Sequence, residues 1–247
     1  MKARKKIFKM RVHYTRYTIL FFLCMVPAFV NAQLRVTVSA GYGMYNMNDL
    51  VELQEYRAKT FPVKGETTSL YPAYFNFEGS LVYESKRPFF AGAIIGYGSS
   101  GARTCYSDYS GSMSLDQVAW YYSMSASLGF YQKLKKEKLT LYFDLRPGFI
   151  NTYLDLISKQ KIGNQAEVRD KSQFTSSNIA VQPTLSVLKR VGKFGLNVHI
   201  GMNINVFCDK LEAEDHDVTY LEDHFGNATT ADWTGLRVGA GVSYYLR

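Results

Sequence analysis

From Leu34 to Arg247 the chain alternates apolar residues with small or polar ones in eight separate stretches. In "LRVTVSAGYGM", Leu34, Val36, Val38, Ala40, Tyr42 and Met44 share one face, against Arg35, Thr37, Ser39, Gly41 and Gly43. The same two-residue period runs through Ala73–Tyr83, Phe89–Gly98, Val118–Phe130, Leu139–Phe149, Asn178–Val187, Phe194–Val206 and Thr234–Arg247. Period-2 alternation is the mark of strands with one apolar face. The pattern predicts an all-β chain, either as a soluble sandwich with apolar faces inside or as a barrel with apolar faces in lipid.

Three features select the barrel. The stretches are long, near the roughly 9–11 residues that a tilted membrane strand needs. The connections alternate: "ESKRP", "KLKKEK" and "KRVGK" are short, whereas those after Met44, Gly98, Phe149 and Val206 are long. Outer-membrane barrels have short periplasmic turns and long extracellular loops. Aromatic residues of the apolar face also gather at the stretch ends. Tyr83, Phe89, Phe130, Phe194 and Tyr244 lie by the short turns, and Tyr42, Phe75, Tyr97, Trp120, Tyr122 and Phe149 by the long loops. Ten steps from Trp120 to Phe130, at about 3.3 Å each and a tilt near 40°, span roughly 25 Å, the height of a lipid-facing band. The expected fold is an eight-stranded antiparallel transmembrane up-and-down β-barrel. Its last strand pairs with its first, which leaves no open edge.

The stretches "SAGYGMYNMNDL", "PAYFNFEGSLVYE", "YSDYSGSMSLDQ" and "ADWTGLRVGAGVSYYL" span the chain from first strand to last. On these the sequence resembles the small eight-stranded outer-membrane barrels of the OmpA/OmpX-like class. It is most similar to a Bacteroides-type group of outer-membrane β-barrel proteins. The resemblance implies the outer membrane of a Gram-negative bacterium, with bilayer lipid and the barrel-assembly machinery as partners, and implies no activity. The chain departs from the common assembly signal, a terminal Phe, by ending in Leu246 and Arg247.

The N-terminus changes how the charge is read. Residues Met1–Arg16 carry seven basic side chains and no acid, and "YTILFFLCMVPAFV" and "VNA" follow. A basic segment, a short apolar run and a small-residue site read as a secretory signal cleaved after Ala32, with residues 33–247 as one barrel domain. Of 29 basic residues, removing those seven leaves 22 against 21 acidic ones, so a net of +8 falls to +1. That removes the electrostatic case for nucleic-acid binding. Cys105 and Cys208 remain, both at long connections, as a candidate disulfide.

An eight-stranded barrel is just wide enough to be filled by side chains. Parity sends Glu78, Asp144, Arg146, His199 and Arg237 into the lumen, with Arg35 near the short-turn mouth. Charges so far from water must pair, so a polar network plugging the lumen is expected. Three loop features carry candidate chemistry. Asn48 and Asp49 precede Leu50, Val51, Leu53 and Tyr56 at helical spacing, which predicts a short helix over the barrel mouth. "SSGARTCYSDYSGSMSLDQ" reads as a Ser/Tyr/Gly-rich loop suited to polar contacts and to stacking on sugars. The loop from Cys208 to Asp232 is acidic, and His216, Asp217, Glu222 and His224 are its candidate metal ligands. Their spacing fits no EF-hand or zinc pattern, and no cofactor is expected.

These readings favour a structural or surface-interaction barrel, not an enzyme, whose outer loops bind a surface glycan or protein. The alternatives are a barrel enzyme modifying lipid or peptide at the outer leaflet, and a narrow porin-like channel.

Overall fold

The computed structural model describes residues 33–59, 66–134, 139–163, 165–213 and 220–246. The predicted signal, residues 1–32, lies outside them. Among the described residues, ten strands and one helix follow in chain order: β1 (Gln33–Gly43), α1 (Asn48–Lys59), β2 (Glu66–Leu70), β3 (Tyr74–Glu84), β4 (Phe89–Asp108), β5 (Gly111–Leu134), β6 (Leu139–Ile162), β7 (Val168–Val191), β8 (Phe194–Phe207), β9 (Glu212–Ala213) and β10 (Gly235–Leu246).

Eight of the strands form a closed antiparallel ring in the order β1, β3, β4, β5, β6, β7, β8, β10. Closure is made by β1 and β10, which pair from Leu34↔Leu246 through Gly43↔Arg237. The chain's last strand is therefore no edge, and every barrel strand has a partner on both sides. Two small strands lie above the ring: β2 pairs with β4, and β9 with β7.

Burial follows the alternation in each barrel strand. In β1, Arg35, Thr37 and Ser39 are buried while Val36 and Val38 are exposed; in β10, Arg237, Ser243 and Tyr245 are buried while Leu236, Val238 and Val242 are exposed. Ile95, Phe130, Val198 and Leu196 also project outward, each more than half exposed. A soluble protein rarely exposes contiguous apolar patches above a few hundred Å². A continuous ring of such residues around a closed sheet is the surface of a transmembrane barrel.

Two of the connections read from sequence as loops are strands. Residues 99–117 extend β4 and β5 into a long hairpin turning at Tyr109 and Ser110. The segment after Phe149 continues β6 to Ile162, and β7 returns from Val168. Four neighbouring strands thus stand far beyond the others as one wall. The reason is a change of phase. Within the apolar band, Leu145 and Phe149 of β6 face outward; just above it, Ile150, Leu154 and Leu156 are the buried ones and Tyr153 and Asp155 point out. Where water replaces lipid outside, the apolar face must turn inward.

Ring contacts fall at two levels. At the short-turn level, Phe89 packs on Phe130 at 5.9 Å and Phe194 on Tyr244 at 5.4 Å. Tyr83 lies opposite Leu34 and Ala91 at the same level. At the upper level, Tyr42 meets Phe75 at 5.6 Å and Tyr97 meets Tyr122 at 5.4 Å. Phe149 lies opposite Met124. Trp120 stacks on Tyr153, centroids 4.1 Å apart and planes 10° from parallel, a contact the alternation did not disclose.

Candidate functional site

The lumen is filled in three tiers. At the short-turn end, Val82, Phe90, Tyr131, Tyr142, Leu188 and Tyr245 form a buried cluster. An ion pair is built into it: Arg35 Nε lies 3.1 Å from Glu84 Oε1, and the Arg35 guanidinium sits 4.4 Å above the Tyr142 ring. The Tyr142 hydroxyl donates to Glu84 at 2.8 Å.

The middle tier is a charged crossbar. Arg146 Nη1 reaches Glu78 across the lumen at 3.0 Å, and its Nε reaches Asp144 on its own strand at 2.7 Å. Ser127 donates to the same Asp144 oxygen at 2.8 Å. Beneath this bar, Arg35, Glu78, Asp144 and His199 line a cavity of about 40 Å³, room for a few waters. His199 lies against the backbone of Gly239, where an added Cβ would sit 2.6 Å from the imidazole. The strand therefore needs glycine there to let the ring cross.

Arg237 is buried in the lumen, but among the described residues no carboxylate lies within salt-bridge distance of it. Its Nη1 donates to Gln182 at 3.4 Å, and its guanidinium faces the rings of Tyr121 at 5.1 Å and Tyr45 at 5.9 Å. It shares a small cavity with Glu78, Arg146, Asn203 and Gln182. Glu78, Glu84 and Asp144 balance Arg35, Arg146 and Arg237, so the buried lumen is neutral as a whole. Global neutrality is what lets one guanidinium sit among rings and amides without a contact ion pair.

The upper tier is an apolar plug above the bilayer level. Met47, Leu50, Leu53, Tyr121, Leu154, Leu156, Phe174, Leu211, Leu221 and Trp233 pack in one buried cluster. Trp233 is wholly buried, packs on Tyr121 at 4.5 Å and on Tyr45 at 4.8 Å, and donates from Nε1 to Thr152 at 2.9 Å. Each fully buried Leu or Phe here is worth roughly 1.5–3 kcal/mol. Polar ties hold the lid in register: Gln54 of α1 donates to Thr104 at 2.8 Å and to the Leu115 carbonyl at 3.1 Å. Tyr71 donates to Gln117 at 2.5 Å.

Helix α1 lies over the mouth with Leu50, Leu53 and Gln54 buried and Tyr56 exposed. The Asp49 carboxylate does not cap its own helix; it accepts from the Thr230 amide at 3.0 Å and hydroxyl at 2.7 Å, tying the helix to the last loop. That loop folds inward, with Leu211, Leu221, Ala231 and Trp233 buried.

The acidic loop is not assembled as a metal centre among the described residues. His216 and Asp217 lie outside those residues. The His224 ring stacks on Tyr56 at 4.6 Å, and Glu222 pairs with Ala228 through the backbone. Asp223 accepts from the amides of Phe225 and Asn227, which holds a turn and keeps its carboxyl below the ordinary range. At the tip of the wall, Asp108 accepts from the Tyr106 and Ser110 hydroxyls and from the Ser110 and Gly111 amides. These bonds lower its pKa to about 2 and fix a turn that presents a fully exposed Tyr109.

The candidate disulfide is corrected. Cys105 and Cys208 are both free thiols. Cys105 is on β4 and Cys208 follows β8, which are four strands apart in either direction round the ring. Burial, and then the Asp232 carboxylate, raise the Cys208 thiol pKa. Maleimide treatment of folded residues 33–247 without reductant is expected to label both Cys105 and Cys208. Intact mass checks this: labelling that requires prior reduction would contradict it.

Similarity to known proteins is confined to shape. No protein-family model and no curated protein matches the chain. Among solved structures, neisserial surface protein A is 12% identical, with 87% of this chain and 98% of that one covered and a TM-score of 0.42. The attachment invasion locus protein Ail of Yersinia pestis is 12% identical over 88% and 100%, with a TM-score of 0.42. A major outer membrane protein from Thermus thermophilus is 11% identical over 86% and 99%, with a TM-score of 0.43. The barrel assignment rests instead on this chain's own closed strand ring and outward apolar band.

Proposed function

We propose that the chain is a surface-interaction barrel of a Gram-negative outer membrane, with the short turns in the periplasm and the β4–β7 wall and α1 outside the cell. The two aromatic levels mark the lipid boundaries, where amphipathic rings are favoured. The observation that carries the reading is the contrast between the two parts of the molecule. The lumen is filled in three tiers, while four strands continue past the upper aromatic level as a hydrogen-bonded wall. A filled lumen serves no solute, and a rigid wall with a pinned turn lowers the ordering cost of recognition. The partners proposed are bilayer lipid along the band, the assembly machinery during insertion, and a ligand at the outer mouth.

The test is topological. In a Cys105→Ser/Cys208→Ser background, Tyr109→Cys places a thiol at the wall tip and Arg87→Cys places one at a short turn. A membrane-impermeant maleimide added to intact cells is expected to label the first, and the second only after permeabilisation. The opposite pattern, or equal labelling of both in intact cells, would overturn the reading.

A further inference from the structure

The outer face of the β6–β7 hairpin gathers positive charge just above the upper aromatic level. Lys159 and Lys161 follow Tyr153 on the outward parity of β6, and Arg169 and Lys171 stand on that of β7. The register sets Lys159 directly opposite Arg169, with Ile157 opposite Lys171 in the row below. Like charges directly opposite on neighbouring strands destabilise a sheet. Little on the same face offsets them. Asp116 is held through both oxygens by Arg103, at 2.6 and 3.0 Å, and Lys159 reaches it only at 3.9 Å. Asp155 takes Lys171 at 3.0 Å and also accepts from Gln173. Glu167, just before β7, is exposed. Among the described residues no carboxylate lies within salt-bridge distance of Lys161 or Arg169. Cations opposed in this way on a hydrogen-bonded wall are suited to an anion from outside the chain.

Height selects the anion. The Trp120–Tyr153 stack belongs to the upper aromatic level. Lys171 lies in the row four residues above Tyr153, and Lys159 and Arg169 in the row six above. At about 3.3 Å per residue and a tilt near 40°, these rows stand roughly 10 and 15 Å above the stack. The polar layer of an ordinary bilayer adds only about 5–8 Å on each side of the hydrocarbon. Long basic side chains reach back toward the bilayer while their stems lie on the wall. Lys171 therefore reaches the headgroup layer, whereas Lys159, Arg169 and Lys161 call for a taller headgroup. The patch also faces sideways, across the bilayer surface, and not into the outer mouth. We propose that the outer face of the β6–β7 hairpin binds the phosphates of an outer-leaflet lipid that carries them on a saccharide headgroup. Its acyl chains run down the apolar band, its sugars lie over the Trp120–Tyr153 level, and its phosphates bridge the Lys159–Arg169 pair and the lysines on either side.

The inference rests on the wall standing outside the cell, as proposed above. It is tested on the folded barrel, purified in an uncharged detergent, by titration with diphosphorylated lipid A and with its dephosphorylated form. The phosphorylated lipid is expected to bind at least about tenfold more tightly. Arg169→Gln should weaken it about fivefold and Lys159→Gln/Arg169→Gln about thirtyfold. Lys193→Gln, which removes an exposed lysine at a short turn, should leave the affinity unchanged. In phosphatidylcholine vesicles, without the phosphorylated lipid, the double variant should be at least as stable to urea as the parent, because it relieves the opposed charges. A merely structural role would give the reverse. Equal affinity for the two lipids, unchanged affinity in the double variant, an equal loss in Lys193→Gln, or a double variant less stable than the parent would overturn the proposal. So would binding of dextran sulfate, a soluble polyanion, in place of the lipid. Labelling of Tyr109→Cys is independent of these results, so failure here leaves the surface-interaction reading to its own test.

Discussion

Replacing Arg146 by Met is expected to destabilise the barrel by about 3–5 kcal/mol. The guanidinium holds Glu78 at 3.0 Å and Asp144 at 2.7 Å, and all three side chains are largely withdrawn from solvent. Met retains most of the aliphatic length but leaves two buried carboxylates facing each other. Removing one partner of such a network costs far more than the network itself contributes, because the uncompensated charges pay their full desolvation. The triple change Arg146→Met/Glu78→Gln/Asp144→Asn should therefore recover most of the loss. Urea unfolding in phospholipid vesicles checks both, read as a fall in midpoint for the single variant and its return in the triple one. A single variant as stable as the parent would show that the crossbar is hydrated enough to dispense with its cation.

The second large effect is expected at Trp233. Its ring is wholly buried between Tyr45 and Tyr121, and its indole N–H donates to Thr152. Trp233→Ala empties the centre of the upper plug and should cost about 3–5 kcal/mol, the range for large-to-small changes at aromatic core positions. Trp233→Phe keeps a ring but orphans the Thr152 hydroxyl, and a loss of about 1–2 kcal/mol is expected. The same unfolding assay reads both. If alanine cost no more than phenylalanine, the plug would be loosely packed and the wall would hold itself up without it.

The membrane-spanning part was legible in the sequence because one physical constraint governs it throughout. Lipid outside and side chains inside impose a single phase of alternation, and the first-to-last closure follows from the need to leave no edge. Above the bilayer that constraint reverses. Leu154 and Leu156 turn inward where Leu145 and Phe149 turned outward, so a reader following one phase sees the pattern break and assigns a loop. The break itself was the signal: apolar residues change parity at Ile150 while the period of two persists through Leu156. Trp233 was not singled out from the sequence, although the same parity marks it. It lies on the inward parity of β10, two residues before Gly235.

Other features depended on contacts between distant segments, which alternation does not report. Parity could place Arg237 in the lumen but could not show that Gln182, Tyr45 and Tyr121, rather than Glu78 or Asp144, would be its direct neighbours. The helix over the mouth was readable from Leu50 and Leu53, whereas the use of Asp49 to tie down Thr230 needs the last loop folded back beside it. The two cysteines sit at the ends of long connections, yet the ring order places them on opposite sides.

The proposed function requires a sealed lumen, with the molecule acting through its outer mouth. Planar-bilayer recording of the purified full-length barrel tests this directly. The three tiers, with about 40 Å³ of free space under the Arg146 crossbar, predict no large steady conductance at moderate voltage. A stable, porin-sized channel in the unmodified protein would show that the lumen is open.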